Sequence, residues 1–293
     1  MAIVGAATLW GTTGTAATFF PDGVSPLAIG AVTMVVGGIL LFSVSFRASV
    51  AAVRDPAVRN WLLLGAAGVF IYPLAFYTSM DLAGVAIGNV VSLGTGPVFA
   101  ALLERLLERH TLSRLWKMTT PIALLGVLLL VAGGSHRSHS TEATVGIGVA
   151  LGLLAGFSYA LYTYCSTRVI RAGHASGATM GAMFGIGAIG LIPILIGLGG
   201  PLLESGASIG IAGYLAVGPM FIAYILFGIG LRSTPSSTAT TITLLEPVVA
   251  TLLAVIIVGE VLGLMSWVGL ALIFVAVSVL STARHPRKQL VSP

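Results

Sequence analysis

The chain has 293 residues, 57% of them hydrophobic and only 8% charged, and its mean hydropathy is +1.05. Its 14 basic and 9 acidic residues are too few to clothe a soluble domain, in which about a quarter of residues are charged. Composition therefore excludes a soluble enzyme, a disordered chain and, despite the basic balance, a nucleic-acid binder. The exterior has to face lipid.

Apolar runs long enough to span the hydrocarbon core, about 20 residues each, fall at 2–20, 25–46, 59–80, 84–105, 116–134, 144–168, 176–199, 207–231, 234–257 and 263–282. The first run has no basic leader or cleavage pattern and is read as a mature span. Continuous apolar runs, with every backbone polar group satisfied inside its own segment, predict helices rather than barrel strands. The fold class is thus an all-α membrane protein of ten transmembrane helices. The single cysteine, Cys165, sits in an apolar run and allows no internal disulfide.

Basic residues set the orientation. With a cytoplasmic N-terminus, the inner loops hold Arg47, Arg54, Arg59, Arg105, Arg109, Arg114, Lys117, Arg168, Arg171, Arg232, Arg284, Arg287 and Lys288, which is every basic residue except Arg137. Asp22, Asp81, Glu142, Glu204 and Glu260 fall on the other side. A miscount by one helix would scramble this separation, so it supports the count of ten and predicts both termini in the cytoplasm.

The chain repeats itself. At a shift of 150 residues, Pro97-Val98 falls on Pro247-Val248, Gly68 on Gly218 and Tyr77 on Phe227; at a shift near 149, Trp10-Gly11 falls on Tyr159-Ala160. This predicts a first five-helix unit over 1–138, a second over 139–283 and a basic tail over 284–293. Five is odd, so the second unit enters the bilayer from the opposite face. Inverted repeats of this kind are a signature of secondary transporters, with the binding site between the halves; duplication kept for packing alone is the alternative.

Several elements resemble a known family. Leu244-Leu245-Glu246-Pro247-Val248-Val249-Ala250, then Gly259-Glu260, then Trp267-Val268-Gly269 are similar to the second repeat of the drug/metabolite transporter superfamily, EamA type, and Trp10-Gly11-Thr12-Thr13 resembles the element on that family's first helix. The resemblance implies a ten-helix carrier of small metabolites, often an amino acid exporter, and is nearest to the bacterial aromatic amino acid exporters. In this fold, helices 1–4 and 6–9 are expected to surround the central space, with 5 and 10 outside. One departure is that the first unit reads Gly96-Pro97 where the second reads Glu246-Pro247.

Candidate site residues follow from what an intramembrane cavity needs. Glu246 is an ionisable group in mid-membrane, where such groups usually face a water-filled cavity or a polar partner. It either accepts a substrate ammonium, carries a coupling proton, or satisfies donors between helices. Pro97 and Pro247 each remove an amide hydrogen, which would free the carbonyls of Leu93 and Thr243, and their equivalent placement marks them as a hinge pair. Trp10, Thr13, Tyr77, Asn89, Ser92, Tyr159, Tyr162 and Tyr224 are the expected substrate-binding partners of Glu246, since aromatic rings with one polar handle suit amphipathic solutes. Thr12, Thr163, Phe227, Thr240, Thr241 and Thr243 accompany them. Tyr72 and Tyr214 are assigned to interfacial belts. The glycines at 148, 152 and 156 and at 177, 181 and 185 are read as helix-packing positions.

The histidines lie in loops or the tail, and His136 and His139 with Glu142 make no convincing metal set. No cofactor, metal or nucleic acid is expected. The partners are the lipid bilayer and a small-molecule substrate, and a monomer has enough helices to enclose its own cavity. A membrane-embedded enzyme would want clustered carboxylates or a His/Ser pair, and a channel a charge ring or filter loop; neither is present. With one interior acid and no interior base, neutral amino acids are the leading cargo and hydrophobic cations the second.

Overall fold

The computed structural model describes residues 1–21, 23–109, 111–133, 142–259 and 262–282. Asp22, His110, His136, Arg137, His139, Glu260 and the tail with Arg284, His285, Pro286, Arg287 and Lys288 lie outside them, and Glu142 is placed only as the start of a helix. The order is α1 (Ala2–Ala17), α2 (Pro26–Val44), α3 (Phe46–Arg54), α4 (Pro56–Ala83), α5 (Val85–Glu108), α6 (Arg114–Ala132), α7 (Glu142–Arg171) and α8 (Ser176–Leu198), then α9 (Gly206–Leu231), α10 (Ser236–Ile257) and α11 (Leu264–Thr282). Among the described residues no strand occurs, and nine helices, α2 and α4 to α11, are long and apolar enough to cross a membrane. Helix α1 has 16 residues, fewer than the run 2–20 promised. The short α3 replaces an expected loop. Its buried Ser49 hydroxyl donates to the Ala178 carbonyl at 3.2 Å, which ties it to α8.

Local sequence explains the helix starts. Ser25, Asp55, Ser113 and Ser205 each accept a backbone N–H in the first turn of α2, α4, α6 and α9, satisfying donors that a helix cannot pair internally. The outer surface is apolar: Ile196 is 79% exposed and Ile256 76%. Such a surface is unstable in water and natural against lipid tails.

Lipid tails are as apolar as leucine, so close packing and hydrogen bonds, rather than expulsion from water, hold the helices together. The main pairs are α4 with α7, α2 with α8, α6 with α11, α5 with α7, α1 with α10 and α1 with α9. Glycines set the approach. A Cβ at Gly126 would stand 2.8 Å from the Gly269 carbonyl oxygen, and one at Gly269 would stand 2.5 Å from the Gly126 carbonyl oxygen, so α6 and α11 touch backbone to backbone. Gly148, Gly152 and Gly156 seat α7 against Ala83, Ser79 and the Ser92 carbonyl. Gly181 and Gly185 seat α8 against α2, whereas Gly177 has nothing within 4 Å and is no packing position.

Two helices are irregular where prolines meet other weak helix formers. In α9 a π-helical turn spans Ala216–Ile222 around Pro219. In α10 the segment Ser236–Ile242 stops, a turn passes through Thr243 and Leu244, and a new segment runs over Leu245–Leu253 with Glu246 in its first turn. The expectation that Pro247 leaves the Thr243 carbonyl free is corrected: that oxygen accepts the Glu246 N–H at 2.9 Å, a tighter three-residue turn that absorbs the missing amide. Around Pro97 the helix α5 is unbroken.

Candidate functional site

Helices α1, α2, α4, α5, α7, α9 and α10 enclose a cavity of ≈ 100 Å³ lined by Trp10, Thr13, Gly30, Thr33, Met34, Tyr72, Pro73, Phe76, Tyr77, Leu93, Tyr159, Tyr162, Pro219, Met220, Tyr224 and Glu246. That is room for several water molecules. Helices α6 and α11 contribute nothing to the lining. Contrary to expectation, neither does α8; it backs the wall instead, with Phe184 packed 4.1 Å, ring centre to ring centre, from Tyr224.

The wall is a connected aromatic cage. Tyr72 stacks on Phe76 at 5.4 Å and lies 5.9 Å from Tyr159 and 6.1 Å from Tyr162. Trp10 stands 5.0 Å from Tyr224 and 5.2 Å from Phe227. Each such pair adds about 0.5–1.5 kcal/mol beyond area burial, so the cage is stiff. Hydroxyls lock it further. The Tyr162 and Tyr224 hydroxyls share a hydrogen bond of 2.9 Å, and the Tyr159 hydroxyl meets Thr243 Oγ1 at 2.6 Å, tying α7 to the break in α10. The close seat of Tyr77 on α2 depends on Gly30, where a Cβ would collide with the ring.

Glu246 is the only charged residue in this lining. It is half-buried, and among the described residues its carboxylate has no ion-pair partner. The break in α10 places it: Gly11 lets α1 close on α10, where a Cβ would stand 2.8 Å from the Glu246 carbonyl oxygen. In the same lining the Trp10 indole Nε1–H is buried without a hydrogen-bond partner; the Thr163 hydroxyl is also buried and unpartnered, but outside the lining. The chemistry on offer is one anionic acceptor, an unpaired donor, several hydroxyls and a set of π faces.

Of the residues singled out from sequence, Trp10, Thr13, Tyr77, Tyr159, Tyr162, Tyr224 and Glu246 line the cavity. Asn89 and Ser92 do not. Ser92 is fully buried with its carbonyl against Gly156 of α7, so it serves helix packing. Asn89 is half-buried elsewhere on α5. Thr240 and Thr241 are also buried away from the cavity, each bonded back to the helix that carries it. Tyr72 is no belt residue but a central ring of the cage. Its signal in the sequence was Pro73, which like Pro219 sits in a helix at the cavity. Tyr214 is 44% exposed and hydrogen-bonds Thr12 at 2.7 Å. Thr33, Met34, Phe76 and Met220 carry no sequence mark that separates them from ordinary helix residues.

The count of one interior acid is corrected as well. Glu104 is 2% exposed; it accepts the Ser237 N–H at 3.1 Å and the Ser237 hydroxyl at 2.6 Å. It thus caps the start of α10, where a carboxylate also answers the positive end of the helix dipole. Trp116 Nε1–H donates to the Ser237 carbonyl at 3.0 Å. Among the described residues no group of three or more His, Cys, Asp or Glu comes together to hold a metal.

A bundle with a lipid-facing exterior and an enclosed aromatic cavity on a broken helix defines a multi-pass membrane protein of the transporter class. The comparisons agree. The EamA-like transporter family matches residues 1–132 and 146–282, and the chain belongs to that family, within the drug/metabolite transporter superfamily. It is 34% identical over 288 residues to the uncharacterized transporter YwfM of Bacillus subtilis, covering 97% of this chain and 93% of that one. It is 27% identical to the uncharacterized inner membrane transporter YedA of Escherichia coli K12, covering 97% and 92%. A solved structure titled only as a crystal structure of a protein superposes with a TM-score of 0.77 at 20% identity over 94% of each chain, a likeness of fold alone.

Proposed function

We propose that this transporter carries small amine-bearing solutes, neutral and aromatic amino acids foremost, out of the cytoplasm across a bacterial inner membrane by alternating access. The observation that carries the reading is the lining: a single carboxylate inside an aromatic cage, with no lysine, arginine or histidine. A solute with net negative charge would meet only repulsion there. An ammonium group pairs with Glu246 and gains about 0.5–2 kcal/mol from the ring faces. The substrate carboxylate takes the unpaired Trp10 N–H and the Thr13 hydroxyl.

The architecture in this reading is ten crossings, α1 included, in two oppositely oriented units over 1–138 and 139–283, with both termini and the 284–293 tail cytoplasmic. Three things support it. The family matches the chain in two blocks. The packing pairs exchange when the halves are swapped: α4–α7 becomes α9–α1, α5–α7 becomes α10–α1, while α2–α8 and α6–α11 map onto themselves. Helices also start at matching places: α4 and α9, at Pro56 and Gly206, and α6 and α11, at Arg114 and Leu264, each lie 150 residues apart. Pro97 and Pro247 act as the hinge pair, and one chain encloses the whole cavity, so the unit of function is a monomer.

The cage also favours a second cargo, hydrophobic monocations, because π faces and a lone carboxylate need no substrate carboxylate. Reconstituted liposomes distinguish the two. Saturable flux of a labelled aromatic amino acid, competed by other neutral amino acids, is the expected result; saturable movement of a quaternary-ammonium dye alone overturns it. Under a pH gradient, Glu246→Gln tests proton coupling: normal gradient-driven flux in the variant removes Glu246 as the proton carrier.

A further inference from the structure

The two ends of the bundle differ. At one end an open groove of ≈ 410 Å³ runs between α1, α9 and α10, lined by Thr15, Ala16, Phe19 and Ile211 among others. The repeat shifts carry these positions onto Tyr164, Cys165, Arg168 and Trp61 at the opposite end. There the space is filled. Trp61 and Tyr164 meet edge to face at 5.9 Å, the Arg168 guanidinium lies over the Trp61 ring at 5.3 Å, and Glu108 pairs with Arg168 at 3.4 Å and Arg171 at 3.2 Å. Cys165 is fully buried, whereas its counterpart Ala16 is partly open to the groove.

We propose that Trp61, Tyr164, Arg168 and Glu108 form the cytoplasmic gate of the carrier, shut in this structure while the opposite end is parted. The proposal rests on the alternating-access reading above. The physical argument is one of asymmetry. A carrier with equivalent halves has two states related by exchanging them, so the space seen between α1, α9 and α10 is the shape the space between α7, α4 and α5 takes in the other state. Reaching it requires Glu108 on α5 to leave the arginines on α7, and Trp61 on α4 to leave Tyr164. At the other end Phe19 and Ile211 replace Arg168 and Trp61 and cannot pair with an acid; among the described residues the tie across the groove there is the uncharged Thr12–Tyr214 hydrogen bond at 2.7 Å. Each gate contact is modest because the arginines are about 40% exposed and such pairs are worth little singly. That suits a gate, since a contact that must break in every cycle cannot be strong. The contacts instead bias which end is open at rest, with each tenth of the population shifted only by differential stability.

The native thiol reports the state without any substrate. In membranes exposed to a maleimide from the cytoplasmic side, Cys165 of the unaltered chain reacts slowly. Glu108→Gln and Trp61→Ala raise its rate by roughly fivefold or more, the shift expected for loss of two partly exposed contacts. A second variant guards against simple loosening. With Cys165→Ala and Ala16→Cys, the new thiol is labelled from outside, and adding Glu108→Gln slows it as the outer end closes. Loosening would speed both thiols. An unchanged Cys165 rate in both gate variants, or faster labelling at both ends, overturns the gate. Because no transported solute enters the assay, a wrong choice of cargo leaves this result untouched, and an absent gate leaves the flux assay untouched.

Discussion

Helices α5 and α10 carry prolines 150 residues apart, yet one is continuous and the other is broken. Pro97 lies inside an uninterrupted helix; Pro247 follows a stop at Ile242 and a turn through Thr243 and Leu244. Proline alone therefore does not break a membrane helix here, as Pro73, Pro121 and Pro193 inside α4, α6 and α8 also show. The difference lies upstream. Before Pro247 runs Ser236-Ser237-Thr238-Ala239-Thr240-Thr241-Ile242-Thr243, where the equivalent stretch before Pro97 is Ala86-Ile87-Gly88-Asn89-Val90-Val91-Ser92-Leu93. Hydroxyls of Thr240, Thr241 and Thr243 bond back to carbonyls three or four residues earlier, a competition with the helical ladder that bends helices. Add a proline downstream and the ladder gives way. The gain is a carboxylate, Glu246, delivered into the cavity from the second segment's first turn.

Five substitutions sharpen or break this contrast, beginning with the largest. Glu246→Gln removes the one charge in the cavity and lowers transport efficiency for an ammonium-bearing solute by about 10- to 100-fold, the worth of a charge-assisted hydrogen bond; initial-rate flux in liposomes measures it. Gly96→Ala is next. A Cβ there would stand 2.9 Å from the Tyr159 ring, so the cage is pushed off Thr243 at a cost of about 1–3 kcal/mol, read as a lower unfolding temperature in detergent. Thr243→Val deletes the bond to Tyr159 and the bond back to the Thr240 carbonyl, about 1–2 kcal/mol together, read the same way. The two hinge prolines differ: Pro97→Ala adds an amide to a helix that is already continuous, and flux falls by about twofold, less than one hydrogen bond's worth. Pro247→Ala instead offers a second donor to the Thr243 carbonyl, and about one hydrogen bond's worth, near fivefold, is the expected loss as Glu246 shifts. Equal effects at the two prolines would mean that the break in α10 has no functional consequence.

The sequence made the long helices visible because lipid demands unbroken apolar runs, and their ends fall within a few residues of the expected places. It missed α3 because nine residues of mixed character read as loop, and α1 is shorter than its apolar run because residues after Ala17 form a turn instead of helix. Glu246, Trp10 and the tyrosines at 159, 162 and 224 were legible because polar atoms in mid-membrane need a reason. Tyr72 was not, since a tyrosine in an apolar run reads as an interfacial anchor unless its place in mid-helix beside Pro73 is weighed; its ring meets Tyr159 and Tyr162 of α7. Ser92 shows the converse error, a polar residue whose hydroxyl is left over after its backbone is used to seat Gly156. Glu104 was hidden by position: at the end of an apolar run beside Arg105, it reads as a loop acid, and its burial follows from the start of α10 landing on it.

One more pair of residues 150 apart differs. Asp55 caps α4 and Ser205, at the same repeat position, caps α9. The Asp55 carboxylate accepts the Ala57 N–H at 2.9 Å and meets His174 Nε2 at 2.9 Å. The backbone donor first and His174 second hold its carboxyl below the ordinary carboxylate value of 3.8. A lowered value means that folding favours the charged form. Its contribution is therefore fully present above that ordinary value and is lost as pH falls through the lowered one. Ser205 does not titrate, so acid should loosen the start of α4 while leaving the start of α9 in place. Hydrogen exchange of the first turn of each helix, followed as detergent-solubilised protein is acidified, reads this directly. Asp55→Asn keeps a side-chain acceptor at the cap and should abolish the acid response of α4 while leaving exchange near neutrality almost unchanged, because the site is exposed and screened. If α4 and α9 open together on acidification, or if Asp55→Asn leaves the α4 response intact, the difference between the two caps has no consequence and the source of acid sensitivity lies elsewhere in the bundle.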